Sequence, residues 1–228
     1  MKVLDTLQCI MVSGSEMKEN TKFYRIRKLQ SDLRNMPTTK QEIWYPPKEC
    51  VIADGRTNFR GSPILYCSFD QTTPLFECNV KPGEYYALIR YTVKPTMKLI
   101  AYQVVNDFAG QNLNERGKTN HKIINDFLQS EFTKPVGKGT EYLYKISNII
   151  CQNFLDLPNC DAYIYPSVAR YKKGWNISIK PKSVDEKLEF DGVRICRLIS
   201  FEPDNDYVFE VIHLADKVDE QDKLIYFA

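Results

Sequence analysis

An α+β fold, a single domain whose mixed or antiparallel sheet is flanked by helices, is what this sequence predicts, and three observations predict it. Short runs rich in β-branched and aromatic residues recur along the chain, each of strand length. Two stretches between them carry apolar residues at helical spacing, yet strands and helices never settle into the regular alternation of a parallel sheet. The 228 residues are 43% hydrophobic and 12% aromatic, enough for one sizeable core, and no Gly/Ser linker or internal repeat divides residues 1–228.

The elements follow in order. Lys22 to Lys28 mixes basic with apolar residues at a period of two, the mark of a strand with unlike faces. Ser31 to Lys48 is largely polar and closes on Trp44-Tyr-Pro-Pro47, a crossing loop in which the prolines deny both helix and central strand. Pro63 to Ser68 is a short buried strand, and Thr72 caps a helix start with Pro74 in its first turn. Tyr85–Val93 and Lys98–Val105 read as two strands joined by a turn at Lys94-Pro95-Thr96. Asn120 is placed to cap a helix whose inward face is Ile124, Phe127 and Leu128, and Thr140 one carrying Leu143, Ile146, Ile150 and Phe154 inward. Tyr163–Tyr165, Trp175–Ile179, Val193–Ile199 and Val208–His213 are the remaining strands, and the chain closes on an acidic turn and Tyr226-Phe227.

Composition narrows the function. With 31 Lys plus Arg against 29 Asp plus Glu, the net charge of +2 gives no field for collecting nucleic acid or anionic membrane. Asp5, Thr6 and Gln8 interrupt the only apolar stretch near the start, so neither a leader nor a membrane span is predicted, and a cytoplasmic location is the simplest expectation. The seven cysteines are scattered without CxxC spacing, which fits reduced thiols better than disulfides or zinc. Only His121 and His213 are present, which disfavours a histidine metal centre or a Cys-His dyad.

Two stretches carry chemistry. Gly55-Arg-Thr-Asn-Phe-Arg-Gly61 sets Arg56 and Arg60 in a Gly-bounded loop before a strand ending in Tyr66 and Ser68, and such a loop can present guanidinium bidentately to phosphate. Beyond Ser68, Glu77 lies between Phe76 and Cys78, where an unpaired inward carboxylate is costly; it is either a functional acid or a capping or solvent-facing one. The second stretch, Asp161 to Val168, ends a strand in Pro166 and Ser167. That serine lacks the G-x-S-x-G elbow and any nearby histidine, so it reads as a hydrogen-bonding serine or an ordinary strand-end turn.

Taken in order, Phe23-Tyr-Arg-Ile-Arg27, Trp44-Tyr-Pro-Pro47, Gly55-Arg-Thr-Asn58, Gly61-Ser-Pro-Ile-Leu-Tyr-Cys-Ser68, Glu77 and Tyr165-Pro-Ser-Val168 resemble the RES domain family over about residues 22–180. Many members of that family are toxins of toxin–antitoxin pairs that deplete NAD+ by phosphorolysis or hydrolysis, on a fold related to ADP-ribosyltransferases. The resemblance puts Arg25 and Arg56 at the signature arginines, Tyr66 at the aromatic, Glu77 at the acid and Ser167 at the serine. It implies that the arginines hold pyrophosphate or an attacking anion, that Tyr66 packs on nicotinamide, that Glu77 steadies an oxocarbenium-like ribose and that Ser167 orients carboxamide or ribose. Arg27, Asn58 and Arg60 are expected to help bind substrate, Arg27 because it shares a strand face with Arg25. No metal and no permanently bound cofactor is implied: NAD+ is the substrate, inorganic phosphate a possible co-substrate, and an antitoxin with a helix-turn-helix region the expected partner. A protein ADP-ribosyltransferase and a catalytically silent binding module are the alternatives; Leu75 stands where a Glu-x-Glu enzyme carries its first glutamate.

Overall fold

The computed structural model describes residues 13–105, 114–202 and 206–227. It is a mixed α/β protein: one ten-stranded sheet and, among the described residues, five α-helices. The strands are β1 (Ser13–Met17), β2 (Lys22–Lys28), β3 (Leu65–Ser68), β4 (Tyr85–Val93), β5 (Leu99–Gln103), β6 (Ala162–Pro166), β7 (Trp175–Ile179), β8 (Leu188–Phe201), β9 (Tyr207–Val218) and β10 (Leu224–Phe227). The helices are α1 (Lys40–Ile43), α2 (Thr73–Glu77), α3 (Glu115–Thr133), α4 (Lys145–Phe154) and α5 (Pro181–Lys187). Across the sheet the order is β1-β5-β6-β7-β3-β2-β4-β8-β9-β10, and only β5 and β6 pair in parallel.

Period-two alternation sorts the side chains into separate cores. Phe23, Leu65, Ala87, Ile89, Tyr91, Ile164, Ile177 and Ile179 point to one face, where Ile43, Trp44 and Val184 of the α1 and α5 regions cover them. The other face is divided. Tyr163 and Tyr165 of β6 pack under Leu128 and Phe132 of α3 and Ile150 of α4. Ile26, Tyr86 and Leu88 of β2 and β4 pack under Leu75 of α2.

The division follows from the pairing. β2 pairs with β4 over seven residues and β3 with β7 over four, but β2 meets β3 only at Tyr24↔Ser68. The two halves of the sheet therefore part between β2 and β3, and this is where a cleft opens.

Several expectations are corrected. Asn120 lies inside α3; Asn114 caps the helix, its side chain accepting from Gly117 N at 2.8 Å. Phe127 is 50% exposed, and on α4 Ile146 and Phe154 also face outward. The inward face of α4 is Ser147, Asn148, Ile150 and Cys151, one residue round from the apolar spacing. The reason is polar: Ser147 Oγ donates to Arg56 O (2.7 Å) and Asn148 Nδ2 to Asn58 O (3.0 Å), so the helix turns toward the loop it holds. The crossing loop contains the short α1, whose Glu42 accepts from Thr38 N and Thr39 N. The two strands expected around Lys94-Pro95-Thr96 are present as β4 and β5, joined by a turn, and they lie in opposite halves of the sheet. Cys9 lies outside the described residues; the six described cysteines are free thiols.

Candidate active site

Glu77 is the last residue of α2, and the turn before the helix sets its place. Asp70 Oδ1 accepts from Thr72 N (2.9 Å) and Thr73 N (2.7 Å), and Asp70 Oδ2 from Thr73 Oγ1 (2.7 Å). Thr72, the cap expected from sequence, makes no side-chain cap bond: Pro74 at the second helical position has no N–H to give it, and Leu75 N bonds the Thr72 carbonyl. Arg170 Nη1 donates to Asp70 Oδ1 (3.3 Å) and Thr73 Oγ1 (3.1 Å), with its guanidinium 5.7 Å from the Phe76 ring centroid.

Glu77 is exposed, not buried among its apolar neighbours, and its carboxylate is held from one side. Ser167 Oγ donates to Oε1 at 2.6 Å and Asn176 Nδ2 to the same oxygen at 2.7 Å. Among the described residues Oε2 accepts no hydrogen bond. Asn176 in turn accepts from Ser68 Oγ at 2.8 Å, and Ser167 Oγ accepts from Arg170 N at 3.2 Å.

Glu77 lines a cavity of about 280 Å³ whose other walls include Arg25, Tyr66, Cys67, Ser68 and Tyr165. A second cavity of about 290 Å³, lined by Val51, Ile52, Asn58 and Ile64, shares Arg25 and Tyr66 with the first. Each lies near the lower end of the range for small-molecule sites, roughly 300–1,000 Å³, and together they fall inside it. Arg25 shares the Phe23 face of β2 and donates Nη1 to the carbonyl of Trp44; paired with β4 on one side, it reaches both cavities because β3 meets β2 only at Tyr24 on the other.

Tyr66 is the shared wall. Its hydroxyl donates to Asn58 Oδ1 (2.6 Å) and accepts from Thr57 N (3.0 Å). Burial pushes this phenol up to about 12 and Tyr165 well above the ordinary tyrosine range. Burial also raises the Cys67 thiol to about 12 and lifts Cys78, with Arg25 opposing both, so neither lining thiol is a nucleophile at neutral pH.

The structure brings Arg25, Tyr66, Glu77 and Ser167 together and sets the other expected residues apart. Arg56 donates Nη1 to Phe132 O (2.8 Å) and Nη2 to Lys134 O (3.2 Å), with its guanidinium 4.9 Å from the Tyr144 ring centroid. It anchors the loop to the C-terminal end of α3, where helix carbonyls lack partners, and lines neither cavity. Arg27 shares Arg25's strand face but points to Glu42, 4.0 Å away. Arg60 is exposed and contributes its backbone N–H to Asp54 Oδ1 (2.8 Å), while Asn58 binds Tyr66 and Ser62 O and lines the second cavity.

Four polar residues went unassigned in the sequence reading: Ser68, Asp70, Arg170 and Asn176. Two carried signals. Asp70 stands two residues before Thr72-Thr73-Pro74, an Asx-turn pattern. Asn176 sits mid-strand beside Ile177 and Ile179, where asparagine is disfavoured unless it has a bonding task.

Among the described residues no group of three or more His, Cys, Asp or Glu side chains is placed to hold a metal ion, and no helix is long and apolar enough to cross a membrane. No protein-family model and no curated protein matches this chain.

Proposed function

We propose that this chain is a RES-type enzyme, with an ADP-ribosyltransferase-like sheet, that cleaves the nicotinamide–ribose bond of NAD+. The observation that carries the reading is a carboxylate, Glu77, clamped through Oε1 at the wall of a cavity that Arg25 and Tyr66 also line. Nicotinamide departs with the electron pair of the C–N bond, which neutralises its ring nitrogen and leaves positive charge on the ribosyl carbon and ring oxygen. A fixed carboxylate beside that carbon stabilises the charge as it develops, and an oxygen of phosphate, or of a water that releases a proton to solvent, then bonds to the ribosyl carbon.

Arg25 stands at the junction of the two cavities, where a guanidinium can hold a pyrophosphate with its unshared N–H groups. The Glu77 cavity then takes the nicotinamide riboside half, and the apolar cavity of Val51, Ile52 and Ile64 the adenosine half. A toxin role in the cytoplasm, restrained by an antitoxin with a helix-turn-helix region, is part of this proposal and rests on the family resemblance alone.

The test is incubation of the purified chain with NAD+, with and without inorganic phosphate, reading free nicotinamide and the ribosyl product by chromatography. Wild type is expected to release nicotinamide, and Glu77→Gln, which keeps both hydrogen bonds to Oε1 but loses the charge, to be slower by about 10²-fold or more. A phosphorylated ADP-ribose formed only with phosphate identifies a phosphorylase. Absence of release under both conditions sinks the proposal in favour of a protein-directed transferase or a silent module.

A further inference from the structure

Asn176 of β7 lies directly opposite Ser68 of β3 in the strand register, and both are buried, at 5% and 2% exposure. A carboxylate only accepts hydrogen bonds, so the end of the Asn176 amide that faces Glu77 is its NH2. That leaves Asn176 Oδ1 as the acceptor and makes the Ser68 hydroxyl the donor. Ser167, fully buried, gives its one proton to Glu77 Oε1 and accepts the Arg170 backbone N–H. The chain therefore runs inward from both ends, from Ser68 through Asn176 and from the Arg170 backbone through Ser167, and both donors that reach Glu77 converge on one oxygen.

We propose that Asn176, oriented by Ser68, is a positioning residue that fixes the Glu77 carboxylate so that Oε2 alone meets the reacting sugar. The inference rests on the reaction proposed above. A carboxylate on an exposed glutamate otherwise rotates about its terminal bond and swings on two further torsions, and each departure removes negative charge from the ribosyl carbon as the glycosidic bond breaks. Two donors on Oε1, one from β6's end and one from β7, oppose that rotation from both halves of the same wall. Asn176 lines the Glu77 cavity, but its amide oxygen is engaged by Ser68 and its NH2 by Glu77, so its effect on the reaction is exerted through Glu77.

Three variants of the full chain separate positioning from packing: Asn176→Ala, Ser68→Ala and, as a control, Ser178→Ala. Ser178 is fully buried on the same strand, and its hydroxyl donates to Tyr163 O at 3.4 Å, away from Glu77. Steady-state nicotinamide release at varied NAD+ is expected to show kcat lowered about 10- to 100-fold in N176A and about 3- to 10-fold in S68A. S178A should keep kcat within about twofold, and KM should stay within about twofold in all three, because ground-state binding is not what the clamp supplies. An N176A of unchanged kcat overturns the inference while leaving the reaction standing. So does an S178A as slow as S68A, which would mark the loss as general weakening of β7. Should N176A fail to fold, S68A against S178A decides. A wild type that releases no nicotinamide overturns the reaction and this inference together.

Discussion

Gly55→Ala tests whether the loop that presents Tyr66 is built as tightly as its geometry implies. A Cβ added at Gly55 would overlap Asn58 Oδ1 and come within 2.7 Å of the Tyr66 hydroxyl. Neither neighbour is a free end: Asn58 is 6% exposed, its Nδ2 held by Ser62 O at 2.8 Å and its Oδ1 by Tyr66. The backbone of Gly55 is not in the left-handed region, so the effect is steric and owes nothing to φ. Overpacking of this kind costs about 1–3 kcal/mol, and parting Asn58 from Tyr66 adds about 1 kcal/mol. The lower chain entropy of alanine in the unfolded state offsets roughly 0.5–1 kcal/mol, leaving a net loss of roughly 1–3.5 kcal/mol. For a chain of this length that is a fall in Tm of roughly 2–14 °C. Urea denaturation of G55A, read beside Gly137→Ala, is the assay. Gly137 has open space around its Cβ position and no positive φ, so its alanine variant should match or slightly exceed wild type. The reasoning is refuted by a G55A within about 0.5 kcal/mol of wild type, or by one destabilised equally with and without the Asn58 side chain.

Two other perturbations address the charged residues. Arg56→Lys keeps the charge but cannot span the Phe132 and Lys134 carbonyls, so stability by urea denaturation should fall by about 1.5–3 kcal/mol; an equally stable variant with a raised KM for NAD+ would return Arg56 to the phosphate. Glu42→Gln should show a stability loss that depends on pH. Burial raises the Glu42 pKa, but hydrogen bonds from Thr38 and Thr39 and the charge of Arg27 outweigh it and hold the carboxyl below its ordinary 4.5. A folded-state value below the unfolded one contributes stability that is fully present above 4.5 and lost as the pH falls through the lowered value. The gap between wild type and E42Q in thermal denaturation is therefore expected at pH 7 and absent in strong acid, and a gap that persists or widens in acid refutes the assignment.

What the sequence disclosed, it disclosed through alternation. β2, β4 and β7 match the expected strands residue for residue, because each alternates between two buried faces or carries an unbroken run of β-branched and aromatic residues. β1 and β10 at the sheet edges carry no such signal: Ser13–Met17 holds four small or charged residues beside one methionine, and Leu224–Phe227 is too short to show a period. The inward faces of α3 and α4 were misread for a different reason. Burial of Ser147 and Asn148 is decided by what they bond across the fold, and no spacing rule ranks asparagine above isoleucine for an interior position. The site divided along the same line. Local pattern marks Tyr66, Glu77 and Ser167 as strand-end and helix-end residues and only the resemblance gathers them into one site, whereas the fates of Arg56 and Arg27 depend on partners 76 and 15 positions away.

The cleft and the chemistry share one origin, the failure of β2 and β3 to pair beyond a single position. A strand buried between two full neighbours offers no room for a guanidinium, since its backbone groups are taken and its side chains meet apolar layers on both faces. Arg25 is tolerated on β2 because the neighbour on one side has turned away, and Trp44 supplies a carbonyl where a ladder partner is lacking. On the far bank β3 pairs with β7, and that pairing aligns Ser68 with Asn176 so that the amide can turn toward Glu77. Closing the split would bury Arg25 without water or ligand. Widening it would carry Arg25 away from the Tyr66 wall that it shares with both cavities. The register that leaves β2 and β3 joined only at Tyr24 and Ser68 holds the cationic and anionic walls to one spacing, so the site is as rigid as the two half-sheets that carry it.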